Sequence, residues 1–115
     1  MQTIQEITPF EVPAGKDEEF LKAWNHVAER VQHASGVLSI HLHESLDPDT
    51  KFRFVSIIQW ESSMLFEAAR SQASQAFEEM RRLVPFAAYS AGYRLLVAAV
   101  ATPPRASNPP VTKVV

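Results

Sequence analysis

Ser56 and Trp60 stand four residues apart in FRFVSIIQWESS, residues 52–63. On an extended chain side chains alternate, so both would project from one face with Phe52, Phe54 and Ile58. A tryptophan offers a flat ring for stacking and one N–H donor. A serine can hold one substrate hydroxyl or one water. Both residues also have plainer uses. An indole at a strand-to-helix corner makes a packing wedge, and a buried strand serine bonds to backbone. His41 and His43 have an i, i+2 spacing that some metal sites use, but no third carboxylate or imidazole has a place beside them. A satisfied interface pair is the alternative. Glu44 shares a face with Leu38, Ile40 and Leu42. It could be a general base at a pocket rim or a solvated strand-end carboxylate.

These residues need elements to position them. QTIQEITPFEV (2–12) alternates, with Ile4, Glu6, Thr8, Phe10 and Val12 on one face. Pro9 removes a ladder donor, which predicts an edge strand or a bulge there. PAGK (13–16) is a turn. From Lys16 to Ala34 the period becomes helical: Phe20, Trp24, Val27 and Val31 form a stripe, with acidic residues in the first turn. Trp24 is core on this reading, at the edge of any pocket. Gly36 is expected to cap the helix in the left-handed region. VLSIHLHESL (37–46) alternates again, and DPDT (47–50) is a turn. The stretch 52–60 is apolar on both faces, which predicts a central strand. Ser62 is the expected N-cap of a second helix. Its stripe runs through Phe66, Ala69, Ala73, Phe77, Met80 and Val84 to Pro85, and Met64, Phe66 and Met80 read as core or soft pocket lining. Residues 89–101 read as a last strand. Residues 102–115 hold four of the eight prolines and read as a tail outside the domain formed by 1–101.

The order β-α-β-β-α-β predicts an α+β, ferredoxin-like fold: four antiparallel strands with two helices on one face. Val55 and Ile57 then lie on the uncovered face, which calls for a homodimer meeting sheet to sheet.

Composition narrows the partners. The 115 residues are 46% apolar and 21% charged, with 11 basic and 13 acidic side chains, so the chain is globular and carries no basic stripe for nucleic acid. It has no cysteine, which removes disulfides and thiol chemistry and suits a reducing cytoplasm. No signal peptide or membrane-length apolar run is visible. Only three glycines occur, and none form a phosphate loop.

GKDEEFLKAW (15–24), SGVLSIHLHESLD (35–47) and FVSIIQWESSMLFEAA (54–69) resemble the antibiotic biosynthesis monooxygenase domain family. The resemblance implies a dimeric α+β barrel with a pocket between helices and sheet in each subunit. Its members differ in chemistry. Haem degraders use an Asn on the first strand, which falls near Thr8, and a Trp and a His on the second helix. Here the second-helix region 66–82 has neither Trp nor His, which argues against haem. Anthrone oxygenases, which use O₂ without metal or flavin, place a Trp where Trp60 stands. Their Asn four residues earlier is Ser56, their Tyr six residues later is Phe66, and a Tyr on the second strand is Leu42. A helix Arg has Arg81 or Arg82 as its counterpart.

The expectation is therefore a cytoplasmic, homodimeric, cofactor-independent monooxygenase without a metal. It would act with O₂ on an aromatic or polyketide-like molecule. Trp60 and Ser56 would be catalytic, and Thr8, Trp24, Leu42, Glu44, Phe54, Ile58, Phe66 and Met80 would line the pocket. A non-catalytic small-molecule binding module on the same dimer is the alternative.

Overall fold

The computed structural model describes residues 2–102. Its elements are β1 (Ile4–Glu11), α1 (Asp17–Val31), β2 (Val37–Glu44), β3 (Phe54–Trp60), α2 (Ser63–Arg81), β4 (Ala87–Ala88) and β5 (Ala91–Tyr93). The sheet runs β2-β3-β1-β4, with β5 also paired to β1, and every pairing is antiparallel. This is the α+β, ferredoxin-like arrangement. The predicted tail, 102–115, lies almost wholly outside the described residues.

The two-residue alternation of β3 is complete: Phe54, Ser56, Ile58 and Trp60 are buried, while Val55, Ile57 and Gln59 are half-buried on the other face. β3 is central, between β2 and β1. The expectation that Pro9 makes β1 an edge is overturned, because β1 is also internal. Pro9 pairs in register with Val55, and its carbonyl accepts from Tyr89 N–H at 3.2 Å on the opposite side. A hydrogen-bonded antiparallel pair exchanges two bonds, and proline can supply only the acceptor. The ladder is therefore interrupted opposite Pro9, and the last strand divides into β4 and β5 around Tyr89 and Ser90. Both pieces keep one register on β1: Phe10 opposes Ala88, and Ile7 opposes Ala91. The predicted strand over 89–101 is likewise corrected. Pairing ends at Tyr93, and Leu95, Leu96, Val97 and Val100 continue as an exposed apolar stretch.

α1 buries Phe20, Ala23, Trp24 and Val27, as the helical period predicts. It ends at Val31, so Gly36 does not cap it. Gly36 instead turns the chain into β2 at φ +93°, and its carbonyl accepts from Glu61 N–H at 2.7 Å. The neighbouring register shift between Val37 and Ser39 makes Leu38 an extra residue. Leu38 is turned out to solvent, and Val37 packs near Trp60 in its place. α2 opens at Ser62, whose hydroxyl accepts from Leu65 N–H at 3.3 Å.

The interior forms two clusters. One contains Phe10, Phe20, Trp24, Val27, Phe54, Met80 and Val84. In it Phe20 stacks on Phe54 with ring centroids 4.9 Å apart. The other contains Ile58, Trp60 and Phe66.

Gly36→Ala tests the β2 entry. An added Cβ would lie 2.7 Å from Leu65 in a left-handed backbone. The variant is expected to lose about 1–2 kcal/mol from the backbone alone, and more from the clash, in a denaturant melt.

Candidate functional site

A cavity of about 350 Å³ lies beneath α1 and α2, between the two clusters. Trp24 and Val27 wall it on one side and Ile58 and Trp60 on the other. Ala69, Ala73 and Ala76 of α2 roof it, and these short side chains leave the space open. This volume is within the range of small-molecule sites.

The sheet register places a carboxylate, Glu6, in this space, which Arg30 and His33 border from the α1 side. Glu6 opposes Ile58 on β1, so Trp60 is its diagonal neighbour, within reach of a long side chain. Trp60 Nε1–H donates to Glu6 Oε1 at 3.0 Å. Glu6 is 5% exposed and Trp60 1%. Burial pushes the Glu6 carboxyl above its ordinary value of 4.5; the Trp60 hydrogen bond and the charge of Arg70 oppose this without cancelling it. The alternation of residues 2–12 puts Glu6 on one face with Ile4, Thr8 and Phe10, but the sequence reading did not select it. The signal was there: a carboxylate alternating with Ile4, Thr8 and Phe10 on a face that must be buried.

The expected site residues are distributed as follows. Trp24, Ser56, Ile58 and Trp60 line the cavity. The indole N–H of Trp60 is engaged by Glu6, so it is not a free donor for a guest. Phe66 contacts Trp60 with ring centroids 6.0 Å apart and lines a second, more open cleft of about 600 Å³ between α2 and β4–β5. Its place depends on Gly92, where a Cβ would sit 2.8 Å from the ring. Thr8 lies outside the cavity: its hydroxyl bonds Ser90 Oγ at 2.7 Å, and it is 1% exposed. Phe54 and Met80 are committed to the larger cluster, and Leu42 packs against that cluster. Glu44 is on the surface, where Arg53 reaches it at 2.6 Å while also holding Asp17 at 3.1 Å. His41 and His43 are exposed, with ring centroids 6.2 Å apart. Among the described residues no group of three or more His, Asp or Glu could hold a metal. No described helix is long and apolar enough to cross a membrane.

The chain belongs to the antibiotic biosynthesis monooxygenase family, whose model matches residues 3–83. Among curated proteins none matches. A candidate monooxygenase from Shewanella loihica PV-4 is similar at 27% identity and a TM-score of 0.73, over 84% of this chain and 97% of that one. Two more distant structures share the fold. SnoaB, a cofactor-independent oxygenase from Streptomyces nogalater, has 17% identity and a TM-score of 0.65, over 87% of this chain and 97% of its own. A haem-degrading protein from Mycobacterium tuberculosis has 22% identity and a TM-score of 0.62, over 87% and 98%.

The buried carboxyl sets a stability signature. Its folded pKa is raised, so the folded state holds the proton more tightly than the unfolded chain. Stability then falls as pH rises from about 4.5 through the raised folded value. Glu6→Gln removes this dependence and keeps an acceptor for the indole. The melting temperature of Glu6→Gln is expected to gain on that of the native chain as pH increases across that window.

Proposed function

We propose that this chain is a monooxygenase that oxygenates a flat, apolar aromatic molecule with O₂, without a cofactor, in the cavity beneath α1 and α2. The observation that carries this reading is a cavity of about 350 Å³, walled by Trp24, Val27, Ile58 and Trp60 and bordered by polar side chains, that contains one buried, hydrogen-bonded carboxylate, Glu6. SnoaB, described as a cofactor-independent oxygenase, supplies a precedent for such chemistry on this fold. For an acidic methylene between aryl rings the change is R₂CH₂ + O₂ → R₂C=O + H₂O. The carbon gives up four electrons and O₂ accepts all four. The substrate supplies the reducing power once a proton leaves, so the protein needs to orient it, exclude water and stabilise the resulting anion. Trp60, fixed by Glu6, bounds the cavity, and Ser56 on the same strand face carries a hydroxyl for the developing oxyanion. Haem degradation is a poorer fit, because α2 carries no imidazole to bind iron.

With anthrone as a model substrate, O₂ uptake faster than in buffer is expected, with one O₂ consumed per ketone formed. Saturable binding with uptake no faster than in buffer would instead make this a small-molecule binding module.

We also propose a homodimer. Ile7, Val55 and Ile57 lie half-buried on the sheet face opposite the helices, and the exposed Leu95–Val100 stretch follows β5 directly. A second copy would cover both. Sedimentation is expected to give twice the chain mass, and a monomer at micromolar concentration would refute this.

A further inference from the structure

We propose that Glu6 takes the substrate's proton inside the apolar cavity and returns it to solvent through the cleft on the other flank of α2. The inference deepens the oxygenase reading and rests on it for the choice of substrate. Three residues border both spaces: Glu6, Ala73 and Phe77. Of these only Glu6 can carry a proton. Its Oε1 is held by the indole, while Oε2 accepts from no protein donor among the described residues. The carboxylate is therefore fixed at one oxygen and open at the other, the arrangement a general base requires. Burial leaves it more basic than an ordinary carboxylate, which favours uptake from a weak carbon or phenol acid.

The step is a proton transfer without redox change. The substrate C–H or O–H bond breaks, its electron pair stays on the substrate, and a new O–H bond forms at Glu6 Oε2. The resulting neutral acid no longer burdens the apolar surroundings. It is reset when the proton passes to water in the cleft. The substrate class follows: an aromatic molecule with a weakly acidic methylene or phenol, small enough for about 350 Å³.

Deuterium exchange at the methylene of anthrone, followed by NMR in D₂O without O₂, isolates this step. Tryptophan fluorescence quenching checks that each protein binds the probe. The native protein is expected to exchange faster than buffer, and Glu6→Gln to bind but exchange about 100-fold more slowly or worse. Glu6→Asp should retain part of the rate. Ser74→Phe, which narrows the cleft from α2, should slow exchange without weakening binding. The native rate should fall on the acid side with a midpoint above 4.5, and this limb should vanish in Glu6→Gln. Glu67, Arg70, Glu78 and Arg81 face the cleft, and Arg30 and His33 border the cavity. An acid limb that survives in Glu6→Gln would belong to one of these and overturn the proposal. So would full exchange by Glu6→Gln, or binding by the native protein without exchange. Glu6-dependent exchange without O₂ uptake in air would keep the shuttle and remove the oxygenase. Undiminished O₂ uptake by Glu6→Gln would do the reverse.

Discussion

A carboxylate buried on the sheet face beneath α2 is the constraint that organises this molecule's interior. Desolvating such a group costs on the order of several kcal/mol even after relaxation. One indole hydrogen bond offsets only part of that. The arrangement persists because the sheet dictates it. β1 and β3 pair in a register that sets Ile58 opposite Glu6 and brings Trp60 diagonally within reach. Once Trp60 is tied to Glu6, its ring is fixed as a wall and the hollow in front of it acquires a defined polarity.

The roof is as consequential as the floor. α2 presents alanines at 69, 73 and 76 toward the cavity. Val31 and Ile40 already pack against both hydrophobic clusters, and larger residues on this helix face would fill the space between the rest. The space between the clusters can change its lining without either cluster being rebuilt. Solved structures of this one fold are described as an oxygenase and as a haem degrader, so the fold alone does not fix the chemistry.

Much of this was legible in the sequence because periodicity reports burial directly. The alternation of β3 and the stripes of α1 and α2 gave the element order, and Ser62 marked the start of α2 by its capping chemistry. What periodicity does not report is pairing. Pro9 read as an edge signal because its missing donor has no sidedness in one dimension; the sheet puts that gap toward β4–β5 and leaves the β3 side intact. The bulge that expels Leu38 likewise depends on the partner strand. The apolar run after Tyr93 has strand composition but no partner within the chain. At the site, Trp60, Ser56, Ile58 and Trp24 followed from type and position. Glu6 was passed over because a glutamate on a first strand is usually wet. Of the two readings of Glu44, the structure matches the solvated strand-end carboxylate, held by Arg53 near the start of the next strand.

The interruption opposite Pro9 has an effect beyond topology. Unpaired strand borders are templates on which stray chains can add and begin to aggregate. Here the outermost strand is cut into runs of two and three residues, with Tyr89 and Ser90 between them. An intruding polypeptide would find no long uninterrupted row of amides to zip onto. A single imino acid on an inner strand thus protects the β4–β5 margin of the sheet, β2 forming the other, from a position flanked by strands on both sides.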